Sequence, residues 1–373
     1  MAAAASRRYS PTMARDLEIG TLLDAEGAPA YLNAAKLNRH TFWCGQSGSG
    51  KTYALGVLLE QVLRHTRLPL VILDPNSDFV RMGEVRADAA GRADAEELRD
   101  RDIRVLRPSD GEGALRARLR DMPARSQAAI LGLDPVNDAE LYNEMLHVAA
   151  DISGIPEGHL VEHLRTHELE VRRRLALRIE NMGAGAWKLW AWDRQAVTDV
   201  IDTEPDATVV DLGGFPTQAE FRAAALAVLD HLWEHRAERR PRLVVIDEAH
   251  NLCSPEPVDA VHRLLTERIV QIAAEGRKFG LWLLLSTQRP SKVHPNALSQ
   301  CDNLALMRMS SMRDLDELGG VFGYAPEELV MRSPGFAQGQ ALFAGGFIDR
   351  PSLVQMGARM TEEGGVDVPI PLR

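Results

Sequence analysis

Three short stretches hold residues whose types and spacing could do chemistry. In FWCGQSGSGKTYAL, Phe42 to Leu55, the segment GQSGSGKT satisfies G-x-x-x-x-G-K-[ST] at every position. Its glycines permit a tight loop whose backbone N–H groups converge on a phosphate, aided by the N-terminus of the next helix. Gly45, Gln46, Ser47, Gly48, Ser49, Gly50, Lys51 and Thr52 are therefore the expected nucleotide contacts. Lys51 would bridge the β- and γ-phosphates, and Thr52 would ligate Mg²⁺.

The second stretch is LVVIDEAHNL. Four apolar residues deliver Asp247 to the tip of a buried strand, where it can hold the Mg²⁺ water shell. Glu248, one residue on, is placed to polarise the attacking water as a general base. That second carboxylate favours an ATP-hydrolysing motor over a GTPase switch, so ATP and Mg²⁺ are the expected cofactors. The third stretch is EGRKFGLWLLLSTQRPSKVHPNALSQC. Gln288 follows an apolar strand and could sense the γ-phosphate and orient water. Arg277 and Lys278 lie just ahead of that strand, at the end of a predicted helix. They read either as cations favoured there by the helix dipole or, for Arg277, as an arginine finger reaching a neighbouring subunit's γ-phosphate.

The elements that must position these groups follow from the hydrophobic pattern. Wholly apolar runs suited to strands buried on both faces recur at 41–45, 68–75, 103–106, 127–133, 207–214, 242–248, 281–287, 303–309 and 340–346. Helical segments alternate with most of them, which predicts an α/β domain around a mostly parallel sheet. Residues 1–40 read as a tail and a β-hairpin around Asp-Ala-Glu-Gly, and 41–136 as the first part of the nucleotide-binding core. Residues 137–200 show charged helices and no strand, so an all-helical insertion is expected there. Residues 201–350 return to the core, and 351–373 read as a C-terminal tail.

Taken together, the motifs resemble the HerA family within the HerA/FtsK group of ring-forming, DNA-translocating ATPases. GQSGSGKT, VILDPNSDF, LVVIDEAHNL, the run from Glu275 to Met309 and GQALFAGGFIDRPSLV carry the resemblance, in the family's order. It implies a RecA-like core, a homo-hexamer, and ATP-driven movement of double-stranded DNA through a central channel. It also implies a separate partner, a nuclease or an antiviral-defence effector, and supports Glu248 as base, Gln288 as sensor and Arg277 as finger in trans. Two departures stand out. Family members carry Glu four residues after the strand-end Asp, whereas Asp78 here is one methylene shorter. About 40 residues precede the glycine loop, room for a hairpin and not for the family's N-terminal β-barrel.

Composition narrows the rest. A formal charge of −10 argues against a surface that is basic throughout, though a local basic loop remains compatible with DNA. The chain has five lysines, so Lys292, just after the sensor strand, is the candidate DNA contact. Cys44, Cys253 and Cys301 show no metal-ligand spacing and point to a reduced, cytoplasmic setting. No apolar run approaches the ~18–20 residues that span a bilayer. His159, His163 and His167 would share a helix face but lack a completing carboxylate spacing. HELEV is not H-E-x-x-H, which excludes zinc-protease chemistry. Trp187, Trp190 and Trp192 read as the small core of the insertion, and Arg172 to Arg174 as a charged helix face.

Overall fold

A computed structural model describes residues 16–365 apart from 26, 152–154 and 156–157. Among these residues eleven strands form a single sheet in the order β2-β1-β11-β10-β9-β3-β8-β7-β4-β6-β5. The parallel part comprises β9 (Cys301–Met307), β3 (His40–Cys44), β8 (Leu281–Thr287), β7 (Arg242–Ile246), β4 (Leu70–Asp74), β6 (Ala207–Asp211) and β5 (Ile103–Leu106). At the other side β10 (Gln340–Gly345), β11 (Ser352–Met356), β1 (Asp16–Leu22) and β2 (Pro29–Asn33) run antiparallel.

The central strands are apolar at consecutive positions because both faces are covered. On β3, Phe42 and Cys44 face one core with α8 (Gln218–Glu234) and α9 (Ala260–Glu275), while Trp43 faces the other with α1 (Lys51–His65) and α2 (Ala93–Arg99). Between β5 and β6 lie α3 (Ala124–Ile130), α4 (Ala139–Asp151), α5 (Leu160–Arg165), α6 (Glu170–Asn181) and α7 (Val197–Asp202). After β8 come α10 (Pro295–Leu298), α11 (Met312–Val321) and α12 (Glu327–Val330).

Two expectations need correction. The apolar run 127–133 is not a strand: α3 covers its first four residues and a turn follows, with Ser126 and Gln127 to Ile130 buried. Its alternation-free pattern suits a buried helix as well as a strand, and the Ser126 hydroxyl seals it to Asp230 of α8 at 2.6 Å. The helices between β5 and β6 therefore begin at Ala124. Residues 351–365 are not a loose tail either. β11 is an interior strand between β1 and β10, and the chain beyond it lies along α1 and the 76–86 loop, where the Arg359 side chain is fully buried. The polar, glycine-containing composition there hid a segment held by backbone hydrogen bonds.

Among the insertion helices, Glu144–Arg172, Glu140–Arg174 and Asp138–Arg178 pairs tie α4 and its preceding turn to α6. Arg173 pairs with Glu170. Trp187 stacks on Trp190 with centroids 5.7 Å apart, and Trp190 is buried. No helix among the described residues is long and apolar enough to cross a membrane.

Candidate functional site

Register builds the site. Parallel pairing aligns Cys44 with Thr287, Leu285 with Ile246, and Ile246 with Leu73. One row at the carboxyl ends of β3, β8, β7 and β4 therefore holds the glycine loop, Ser286 and Thr287, Asp247, and Asp74. This is where open α/β sheets place ligands. β8 stands between the glycine-loop strand and the Asp247 strand.

The loop between β3 and α1 is shaped for an anion. Gly48 and Gly50 adopt left-handed backbone, φ 73° and 85°, which side chains other than glycine resist. At Gly45 an added Cβ would lie 2.7 Å from Met307 Cβ and 2.8 Å from Ser49 Oγ. α8 and α9 are capped by Thr217 and Asp259 side chains, whereas α1 starts at Gly50 without a side-chain cap. Its first N–H groups thus stay open to a ligand.

Lys51 is almost wholly buried. Its Nζ donates to Asp247 Oδ1 at 2.7 Å and Ser286 Oγ at 2.9 Å, and lies 3.2 Å from Glu248 Oε1. Ser286 Oγ donates in turn to Asp247 Oδ1 at 2.6 Å. Burial works against the ammonium, but Asp247 and Glu248 outweigh it and raise its pKa. For Glu248, burial pushes the pKa up, while His250, the Lys51 charge and the Gln288 N–H prevail and hold it below the usual range. Glu248 itself sits in left-handed backbone, φ 43°, a conformation disfavoured by about 1–3 kcal/mol and concentrated at functional sites. The Gln288 N–H reaches its Oε2 at 3.3 Å.

Thr52, Asp78, Glu248 and Gln288 line the same polar cleft as the glycine loop. Carboxylate oxygens of Asp74, Asp78 and Asp247 lie within 4.8 Å of one another. Asp247 Oδ2 is buried without a hydrogen-bond partner. An all-oxygen donor set with one orphaned carboxylate oxygen fits a hard divalent cation. Burial pushes Asp74 to about 7, and burial together with the Asp247 charge pushes Asp78 to about 6.

The structure keeps two sequence candidates away from this cleft. Arg277 precedes β8 in a 3₁₀ turn, Gly276–Phe279, at the opposite end of that seven-residue strand, roughly 20 Å away by strand rise. It pairs with Asp302, as Arg39 does. Lys292 is exposed on the loop after β8, 3.9 Å from Glu256. Sequence reasoning missed Ser286 and His250, although both stand inside the motifs it used. It left Asp78 uncommitted; the loop after β4 turns the shorter carboxylate into the cleft.

Residues 17–229 match the family described as Helicase HerA, central domain. The chain is 24% identical to the DNA double-strand break repair helicase HerA of Pyrococcus furiosus, spanning 91% of this chain and 69% of that protein. A probable helicase of Methanocaldococcus jannaschii is 22% identical over 91% of this chain and 70% of its own. Among solved structures, VirB4 of Thermoanaerobacter pseudethanolicus superposes with TM-score 0.64 at 16% identity, covering 92% of this chain and 96% of that one. The plasmid coupling protein TrwB in complex with ADP and Mg²⁺ gives 0.61 at 13% identity, covering 93% and 90%. The structural likenesses agree with a P-loop NTPase fold. With more than half of its length matched by the family, the chain belongs to the HerA helicase family.

Proposed function

We propose that the protein is an ATP-hydrolysing subunit of a ring, most simply a homo-hexamer, that translocates double-stranded DNA and works with a separate nuclease or defence effector. The observation that supports it most is Glu248, held by an unusual backbone beside Asp247 and Lys51, one strand from the glycine loop. The N–H groups of Gln46 to Thr52 would bind the phosphates, and Lys51 would leave its carboxylate partners for the β- and γ-oxygens. Freed from Lys51, Glu248 Oε1 can accept a proton from water. Gln288 orients that water, and Arg277 of a neighbouring subunit stabilises charge on the transferred group. Mg²⁺ would be held by Thr52 and Asp247, with Asp74 and Asp78 facing the same point, and would neutralise phosphate charge.

The test is ATP hydrolysis with and without linear duplex DNA, with particle mass recorded in the same samples. Several-fold stimulation on a ring-sized particle is expected, and Glu248→Gln should abolish turnover while keeping ATP binding. A slow, DNA-indifferent rate on an ATP-dependent assembly would instead identify a nucleotide-gated scaffold. Stimulation by peptide or single strands alone would identify a secretion or conjugation ATPase.

A further inference from the structure

We infer that His250 is a positioning residue for the water-activating carboxylate, tying Glu248 to the end of β8. Its Nδ1 lies 3.2 Å from Glu248 Oε2 and 2.9 Å from Thr287 Oγ1. The imidazole is largely buried, with 12% of the side chain exposed, so water competes little for these contacts. An ionised carboxylate only accepts hydrogen bonds, so in the role inferred here Nδ1 carries the proton and shares it between Glu248 Oε2 and Thr287 Oγ1.

The two oxygens of Glu248 have different holders. Oε1 faces Lys51 at 3.2 Å, whereas Oε2 faces His250 and the Gln288 N–H. Lys51 is the group a triphosphate draws away. Once it leaves, His250 is the side chain that still fixes Glu248, and Oε1 is the oxygen left for water. Left-handed backbone at Glu248 aims the side chain, and His250 sets its rotation. Thr287 Oγ1 also accepts the Arg289 N–H at 2.9 Å, so the imidazole links the carboxylate to the loop leading to Lys292. His250 makes no hydrogen bond or ion pair to the glycine loop among the described residues. Its loss should therefore slow the chemical step and leave ATP affinity alone.

This role rests on Glu248 being the base. The experiment measures kcat and KM for ATP, with binding of a fluorescent ATP analogue, on the full chain. His250→Ala should lose about 10- to 100-fold in kcat, the scale set by a misplaced general base, with KM and analogue affinity near wild type. His250→Asn places an amide N–H where Nδ1 stood and should recover most of the rate. A kcat for His250→Ala within about two-fold of wild type, or a rise in KM alone, overturns the role. So does an Asn variant no faster than Ala. If the Ala variant fails to bind the analogue, His250→Gln decides: its amide reaches past the Nδ1 position, so wild-type turnover overturns the role and slow turnover supports it. Glu248→Gln separates the two levels. Wild-type turnover in that variant overturns the base assignment and the role with it. An inactive Glu248→Gln beside a fully active His250→Ala overturns the role alone.

Discussion

Lys51 Nζ lies 3.2 Å from Glu248 Oε1, so in the proposed mechanism a bound phosphate would part the two and the glycine loop would act as a trigger as well as a cradle. Its geometry tolerates little change. Gly45 is wedged between Met307 and Ser49, with 2.7 Å and 2.8 Å to a would-be Cβ. Gly45→Ala must therefore displace the end of β9 or the loop itself, at about 1–3 kcal/mol by analogy with overpacked cores. The expected outcome is a raised Kd for ATP in a folded protein, read by titration with a fluorescent analogue beside a thermal melt. Unchanged affinity would show that the loop relaxes without loss.

α1 is buried on both sides, and its outer side is covered by the chain after β11. Glu60, fully buried, accepts the Met360 and Thr361 N–H groups and the Thr361 hydroxyl. Arg359 crosses Gly56, where a Cβ would lie 2.5 Å from its Nε. Helix propensity alone makes Gly→Ala favourable by about 1 kcal/mol. Here the buried, hydrogen-bonded Arg359 has no room to move, so Gly56→Ala should lower the melting temperature. A rise would mean that the segment shifts freely.

β3 carries a second consequence for stability. His40 is fully buried at its start, where Nδ1 accepts the Leu283 N–H at 2.8 Å. Burial, reinforced by the Arg277 and Arg39 charges, lowers its pKa from 6.5 to about 4. A depressed folded pKa contributes stability that is fully present above 6.5 and is lost as pH falls towards 4, here about 3 kcal/mol. The urea midpoint should drop across that window. His40→Asn, which keeps an acceptor and cannot titrate, should flatten the drop.

Across the whole molecule, Arg277 and the glycine loop occupy opposite ends of β8, so one subunit cannot bring its own Arg277 to its own phosphates. On the proposed ring, Arg277→Ala should leave ATP binding intact and suppress hydrolysis by the assembly. Mixing it with Glu248→Gln subunits should restore part of the activity, because some interfaces then join an intact Arg277 to an intact Glu248. Mixtures as inactive as either parent would remove the arginine from the reaction.

The glycine loop, the placing of Asp247 and Glu248 at a strand end, and nearly all the central strands were legible in the amino-acid order. Local chemistry determines each of them: glycines for a tight turn, and continuous apolar runs for strands covered on both faces. The run 127–133 misled because a buried helix and a buried strand look alike over seven residues, and length and neighbours arbitrate. β11 and the segment after it were invisible because their stability comes from partners hundreds of residues away, such as Glu60 and Tyr53. Tertiary structure alone decided that Ser286 joins Lys51 to Asp247, that Asp78 turns into the cleft, and that His250 reaches Glu248. Each depends on strand register or on the path of a loop, and neither is written in the spacing of a motif.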